Sequence, residues 1–163
     1  ELKWRIVFLR PLGLRLGRMG GIEPDERQPG FKHVILQPSP DFRTEFPDGQ
    51  ERITHVQASH RSGYGLIRSE WQYKTDGRIS YTATVPANST ATLYLPVCHP
   101  TDRITESGKR LKKAKGVTFR GMKDGKAVIE LQSGTYKFDT EAGKTASDGM
   151  TKMDRQTQKS GQK

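Results

Sequence analysis

Between residues 31 and 138 lie short runs, most with apolar positions at every second residue, the period of a half-buried β-strand. The run Phe31–Leu36 is rich in β-formers and closes at Pro38 and Pro40. Over 52–60, Ile53 and His55 share one face while Thr54, Val56 and Ala58 share the other. Over 64–73, Ile67, Trp71 and Tyr73 face one way, and Arg68, Glu70 and Gln72 the other. Asp76-Gly77 signals a hairpin turn into 78–85, where Ile79, Tyr81, Ala83 and Val85 point together. Pro86 to Ser89 reads as a turn, and residues 90–95 present Ala91, Leu93 and Leu95 inward. Asp124-Gly125 predicts a hairpin between Val117–Met122 and Lys126–Leu131. Ser133-Gly134 precedes a last strand over Thr135–Phe138. About eight short strands at this spacing predict an all-β fold, an antiparallel Greek-key-type β-sandwich. No helical period interrupts them, which argues against an α/β fold.

The flanks read differently. In residues 1–19, Leu9, Leu12, Leu14 and Leu16 keep no helical period, and Pro11, Gly13 and Gly17 oppose a helix. This predicts an irregular basic segment. Residues 20–30 read as a linker opening a domain over 20–139. Residues 140–163 are polar, lack aromatics and predict a disordered tail.

Composition changes the picture in two ways. Hydrophobic residues make up 32% and aromatics 8% of 163 residues, a lean supply for one core. The net charge of +10 suggests an anionic partner, but its distribution weakens a nucleic-acid reading. Residues 1–18 hold five Lys/Arg and one acid, and 140–163 hold five and three, so the two ends carry six of the ten charges. No run of about 18 apolar residues predicts a membrane span, and no signal peptide is visible in residues 1–19. Cys98 is alone, so no intrachain disulfide is expected; cytoplasmic and exported settings both stay open.

Candidate chemistry is sparse. Glycoside hydrolysis needs two carboxylates flanking the scissile bond, one protonated and one ionised. Asp41, Glu45, Asp48, Glu51, Glu70 and Asp76 sit in turns or on outward faces, and nothing raises one pair above the rest. No catalytic residue is assigned. His33, His55, His60 and His99 lack metal-ligand spacing, so neither a metal site nor a cofactor is expected. Gly143-Lys144-Thr145 is no phosphate loop, because Phe138 stands where the first glycine belongs. The run Lys109–Lys115 reads as a solvated loop, with contact to phosphate or an acidic partner as the alternative. Asn88-Ser89-Thr90 matches a glycosylation acceptor but suits a turn. Trp71 and Tyr73 go to the core by phase. Tyr64 and Tyr94 lie off the main apolar phases and are the candidate carbohydrate-binding residues, since a flat ring stacks on a pyranose.

Several strings, in this order, resemble the C-terminal β-sandwich domain of bacterial α-L-rhamnosidases. They are GGIEPDERQPGFKHVILQPSP (20–40), HVQASHRSGYGLIRSEWQ (55–72), ISYTATVPANSTATLYLPV (79–97), ITESGKRL (104–111) and SGTYKF (133–138). The resemblance covers roughly Gly20 to Phe138. It implies a parent enzyme that removes terminal α-L-rhamnose with inversion, using acids on an (α/α)6 barrel that precedes this domain. None of those acids maps onto this chain, which alone is expected to be inactive. The implied partners are that barrel and rhamnose-containing glycosides, with no membrane and no specific nucleic acid. The family also has an Asn-His-Tyr helix before the junction. Here FLRPLGLRLGR (8–18) fills the place, which suggests a mis-framed or degraded remnant of a barrel helix. The competing expectation is a free-standing carbohydrate-binding sandwich.

Overall fold

A computed structural model describes residues 2–5, 20–42, 45, 47, 49, 52–97 and 102–141. These residues form two sheets with one core between them. The strands in chain order are β1 (Leu2–Arg5), β2 (Ile22–Pro24), β3 (His33–Leu36) and β4 (His55–Ser62). Then come β5 (Gly65–Tyr73), β6 (Ile79–Val85), β7 (Thr90–Pro96) and β8 (Arg103–Glu106). Last are β9 (Lys109–Arg110), β10 (Val117–Lys123), β11 (Lys126–Leu131) and β12 (Gly134–Glu141). The larger sheet runs β1-β4-β5-β6-β12-β8-β9 and the smaller β10-β11-β7-β3-β2. Short 3-10 turns at Pro29–Phe31 and Leu111–Lys113 are the helical pieces among the described residues.

The expected alternation is present in the long strands. Ile79, Tyr81, Ala83 and Val85 of β6 are buried, as are Ala91, Leu93 and Leu95 of β7. With Trp71, Phe138, Ile129 and Leu131 they fill the space between the sheets. Each buried Val, Leu, Ile or Phe side chain contributes roughly 1.5–3 kcal/mol relative to exposure, and the lean apolar supply is concentrated in this one layer. Trp71 is fully buried. Tyr73 is half-buried at the core's margin, its hydroxyl donating to the carbonyl of Asp41.

Four differences from the sequence reading have physical reasons. Twelve strands lie among the described residues where about eight were expected, because β1, β2, β8 and β9 are only two to four residues long, too short to show an alternation in the sequence. Residues 2–5, expected to be irregular, pair antiparallel with β4 and use its open edge. The rest of the 1–19 segment lies outside the described residues, as do residues 142–163 of the expected tail. Thr140 and Glu141, placed in that tail, belong to β12. Thr140 is buried because its hydroxyl accepts from the Ile79 amide at 3.0 Å and meets the Ile79 carbonyl at 3.1 Å, pinning the end of β12 to β6. Finally, the sandwich is not wholly antiparallel: β3 pairs with β7 in parallel, from His33 opposite Thr90 to Leu36 opposite Leu93.

The domain's start is fixed by a close approach. Gly21 has φ +58, and its carbonyl accepts the Gln37 amide at 2.7 Å. A Cβ there would lie 2.0 Å from the Gln37 carbonyl oxygen. Only glycine fits, so the residues read as a linker form a tight joint instead.

Candidate functional site

Tyr94 lies between buried Leu93 and Leu95 on β7, so strand geometry points its ring out of the smaller sheet. β3 runs alongside, and the β10–β11 hairpin closes the other side. Ile35, Gln37, Tyr94, Lys123, Asp124 and Lys126 together line an open groove of about 330 Å³. The hairpin tip forms because Asp124 and Gly125 both take positive φ, 50° and 73°, as a two-residue turn of this twist requires. The groove therefore offers one half-buried ring, one amide, one carboxylate and two amines. That set can stack a sugar ring and exchange hydrogen bonds with its hydroxyls.

On the same outer face, the His33 ring nitrogens lie 2.6 Å from Thr90 Oγ1 and 2.8 Å from Thr92 Oγ1. Further along, Arg120 donates to Glu130 at 2.7 Å and holds that carboxyl below its ordinary range.

Tyr64 is elsewhere. It stands 41% exposed in the β4–β5 turn of the larger sheet, beside Leu66 at 43%. The two ring candidates thus belong to different sheets and do not share one face. Strand order decides this, and periodicity does not encode strand order. Nothing in the sequence marked Gln37 or Asp124 as neighbours of Tyr94, since the β3–β7 and β7–β11 pairings bring them there.

The carboxylates singled out by sequence are dispersed. Glu70 takes the His55 ring nitrogen at 2.7 Å on the outer face of the larger sheet. Asp76 accepts the Arg78 amide at 3.1 Å in its turn; that bond and the Arg78 guanidinium hold it below the usual carboxylate range. Such a group stays ionised and is unsuited to donate a proton. Asp41 and Glu45 lie on the segment before β4, and Asp48 and Glu51 fall outside the described residues. His99 and Cys98 also fall outside them. Among the described residues, no group of three His, Cys, Asp or Glu side chains is placed to hold a metal ion. Among the described residues, no helix is long and apolar enough to cross a membrane. Asn88 takes φ 60 in the β6–β7 turn, and Ser89 is buried with its hydroxyl donating to the Phe31 carbonyl at 3.3 Å, so this tripeptide has a structural role.

Comparison with known proteins adds the rest. The family model of the bacterial α-L-rhamnosidase C-terminal domain matches residues 21–110. An α-L-rhamnosidase of Streptomyces avermitilis is 31% identical over 120 residues, which cover 74% of this chain and 10% of that protein. A crystal structure of the Streptomyces avermitilis α-L-rhamnosidase complexed with L-rhamnose superposes with TM-score 0.58 at 28% identity, over 76% of this chain and 10% of that one. An α-L-rhamnosidase from Dictyoglumus thermophilum shares the fold, with TM-score 0.59 at 23% identity, over 76% of this chain and 12% of that one. The chain spans about a tenth of the length of these relatives.

Proposed function

This chain belongs to the bacterial α-L-rhamnosidase C-terminal domain family, and from that membership we propose that it works as an accessory domain supporting a catalytic (α/α)6 barrel. The observation that carries the reading is the family match over 21–110, on a segment equivalent to about a tenth of the relatives. The dispersed acids agree with it. An inverting glycosidase needs a proton donor and a base held roughly 6.5–9.5 Å apart across the sugar. Glu70 instead hydrogen-bonds the His55 ring, and Asp76 pairs with the Arg78 guanidinium. The domain's contribution is then mechanical: a rigid sandwich joined at Gly21 that covers part of the barrel. The substrate, a terminal α-L-rhamnoside, is met by the barrel.

A domain exchange tests this. Residues 20–141 replace the corresponding segment of the Streptomyces avermitilis enzyme, and hydrolysis of p-nitrophenyl α-L-rhamnopyranoside is measured beside a version with that segment deleted. The exchange should restore soluble, active enzyme, and the deletion should not. Hydrolysis by this chain alone, or full activity of the deletion, would overturn the reading.

The Tyr94 groove favours a second reading, a carbohydrate-binding module. It predicts saturable binding of L-rhamnose by calorimetry that Tyr94→Ala abolishes and Tyr64→Ala leaves intact.

A further inference from the structure

Residues 109–126 hold eight Lys/Arg against one acid, Asp124. Over 19–139 the basic and acidic residues number eighteen and fourteen, so the rest of that span is net −3. The topology gathers the stretch on one side of the sandwich. β9 is the last strand of the larger sheet, β10 is the last of the smaller, and residues 111–116 carry the chain across. Lys109, Arg110, Lys112, Lys113, Lys115, Arg120 and Lys123 are all exposed there. Arg120 pairs with Glu130; the other six have no ion-pair partner among the described residues.

The same side carries apolar surface. Phe119 lies opposite Ile129 and Met122 opposite Ala127, with a bulge between Phe119 and Gly121. Residues three apart on a regular strand face opposite ways. The bulge restores the phase, so Val117, Phe119 and Met122 all face the side on which Ile129 and Ala127 are buried. The core does not reach that far. Phe119 remains 42% and Met122 53% exposed. Beyond them, the outer edge of β10 has no strand partner among the described residues.

We propose that the β9–β10 side docks an acidic polypeptide segment in extended conformation, added as a strand to β10 with its apolar side chains on Phe119 and Met122. Charge selects this occupant. A second copy would bring the same basic side and be repelled, which is how edge lysines guard against self-pairing. Residues 142–163 hold five Lys/Arg and two acids, so they too have the wrong sign. An acidic strand meets the exposed cations, the apolar row and the open backbone edge at once. The open backbone edge of β10 sets this occupant apart from a nucleic acid, which has no peptide groups to add as a strand.

The test is fluorescence anisotropy on the full chain with a labelled (Glu-Val)5 peptide. Deca-glutamate and a single-stranded deoxyoligonucleotide of equal charge serve as comparisons. The expected result is tightest binding to (Glu-Val)5. K112E/K113E, on two exposed side chains of the 3-10 turn, should weaken it about tenfold through lost charge complementarity. Phe119→Ala with Met122→Ala should weaken (Glu-Val)5 and leave deca-glutamate unchanged. Circular dichroism melts confirm that each variant is folded, and the lysine pair still decides if the apolar pair is not. No binding of (Glu-Val)5 at millimolar protein, equal binding of the oligonucleotide, or indifference to K112E/K113E overturns the proposal.

Discussion

Ser69 and Tyr81 meet on the core side of β5 and β6, with hydroxyl oxygens 2.9 Å apart. Both are fully buried among apolar side chains, so each hydroxyl has exchanged water for the other. Burial pushes the Tyr81 phenol well above its ordinary range, so it stays neutral. Leaving one hydroxyl of such a pair alone costs about 1–3 kcal/mol, whereas removing both costs little beyond their packing. Ser69→Ala and Tyr81→Phe should therefore each destabilise by that order, and the double variant by clearly less than their sum. Urea unfolding of the four proteins reads the cycle, and strict additivity would show that the contact carries nothing. Both positions were legible as inward from the alternation of β5 and β6. Their meeting was not. Trp71 stands opposite Tyr81, so Ser69 reaches it diagonally across the register, and a register is a property of two strands.

At the scale of elements, legibility tracked burial, except at β10, which has no buried residue and was found through its Asp124-Gly125 turn. β5, β6, β7 and β11 announce themselves because core and solvent faces alternate cleanly, and Asp76-Gly77 and Asp124-Gly125 mark their turns. β8 and β9 are hidden for the converse reason: their residues are exposed or half-buried, so neither face is selected for apolarity. β2 is three residues long and includes Pro24, which an edge strand tolerates. The same limit applied to the candidate site. Tyr94 could be seen to face outward, but its companions from β3 and the β10–β11 tip arrive through pairings that sequence spacing does not contain. The joint at Gly21 shows a signal of another kind, since a glycine pair before a strand reads as looseness and here is tightness. Gly21→Ala combines positive φ with a clash against the Gln37 backbone, so roughly 2–4 kcal/mol of stability should go, against the few tenths typical of an exposed loop. Gly30→Ala is the control, because no atom lies within 4 Å of a Cβ there and the substitution meets only its own positive φ. Equal melting temperatures for the two variants would refute the joint.

At the scale of the whole molecule, order in space departs from order along the chain. β12 lies inside the larger sheet, between β6 and β8, and brings Phe138 and Tyr136 into the core. A chain stopped after Ser133 should lose its cooperative melt, and one stopped after Glu141 should keep it; circular dichroism would separate the two. The arrangement also sets a clock. Chains are made at roughly 5–20 residues per second, so several seconds pass between the emergence of β6 and that of β12. Throughout that wait β6 has neighbours on one side alone, and β3 waits likewise for β7 to be made. Synthesis thus holds the molecule open at its middle and not at its margin. The interval in which a nascent chain can pair wrongly or call on a chaperone is written into the position of β12.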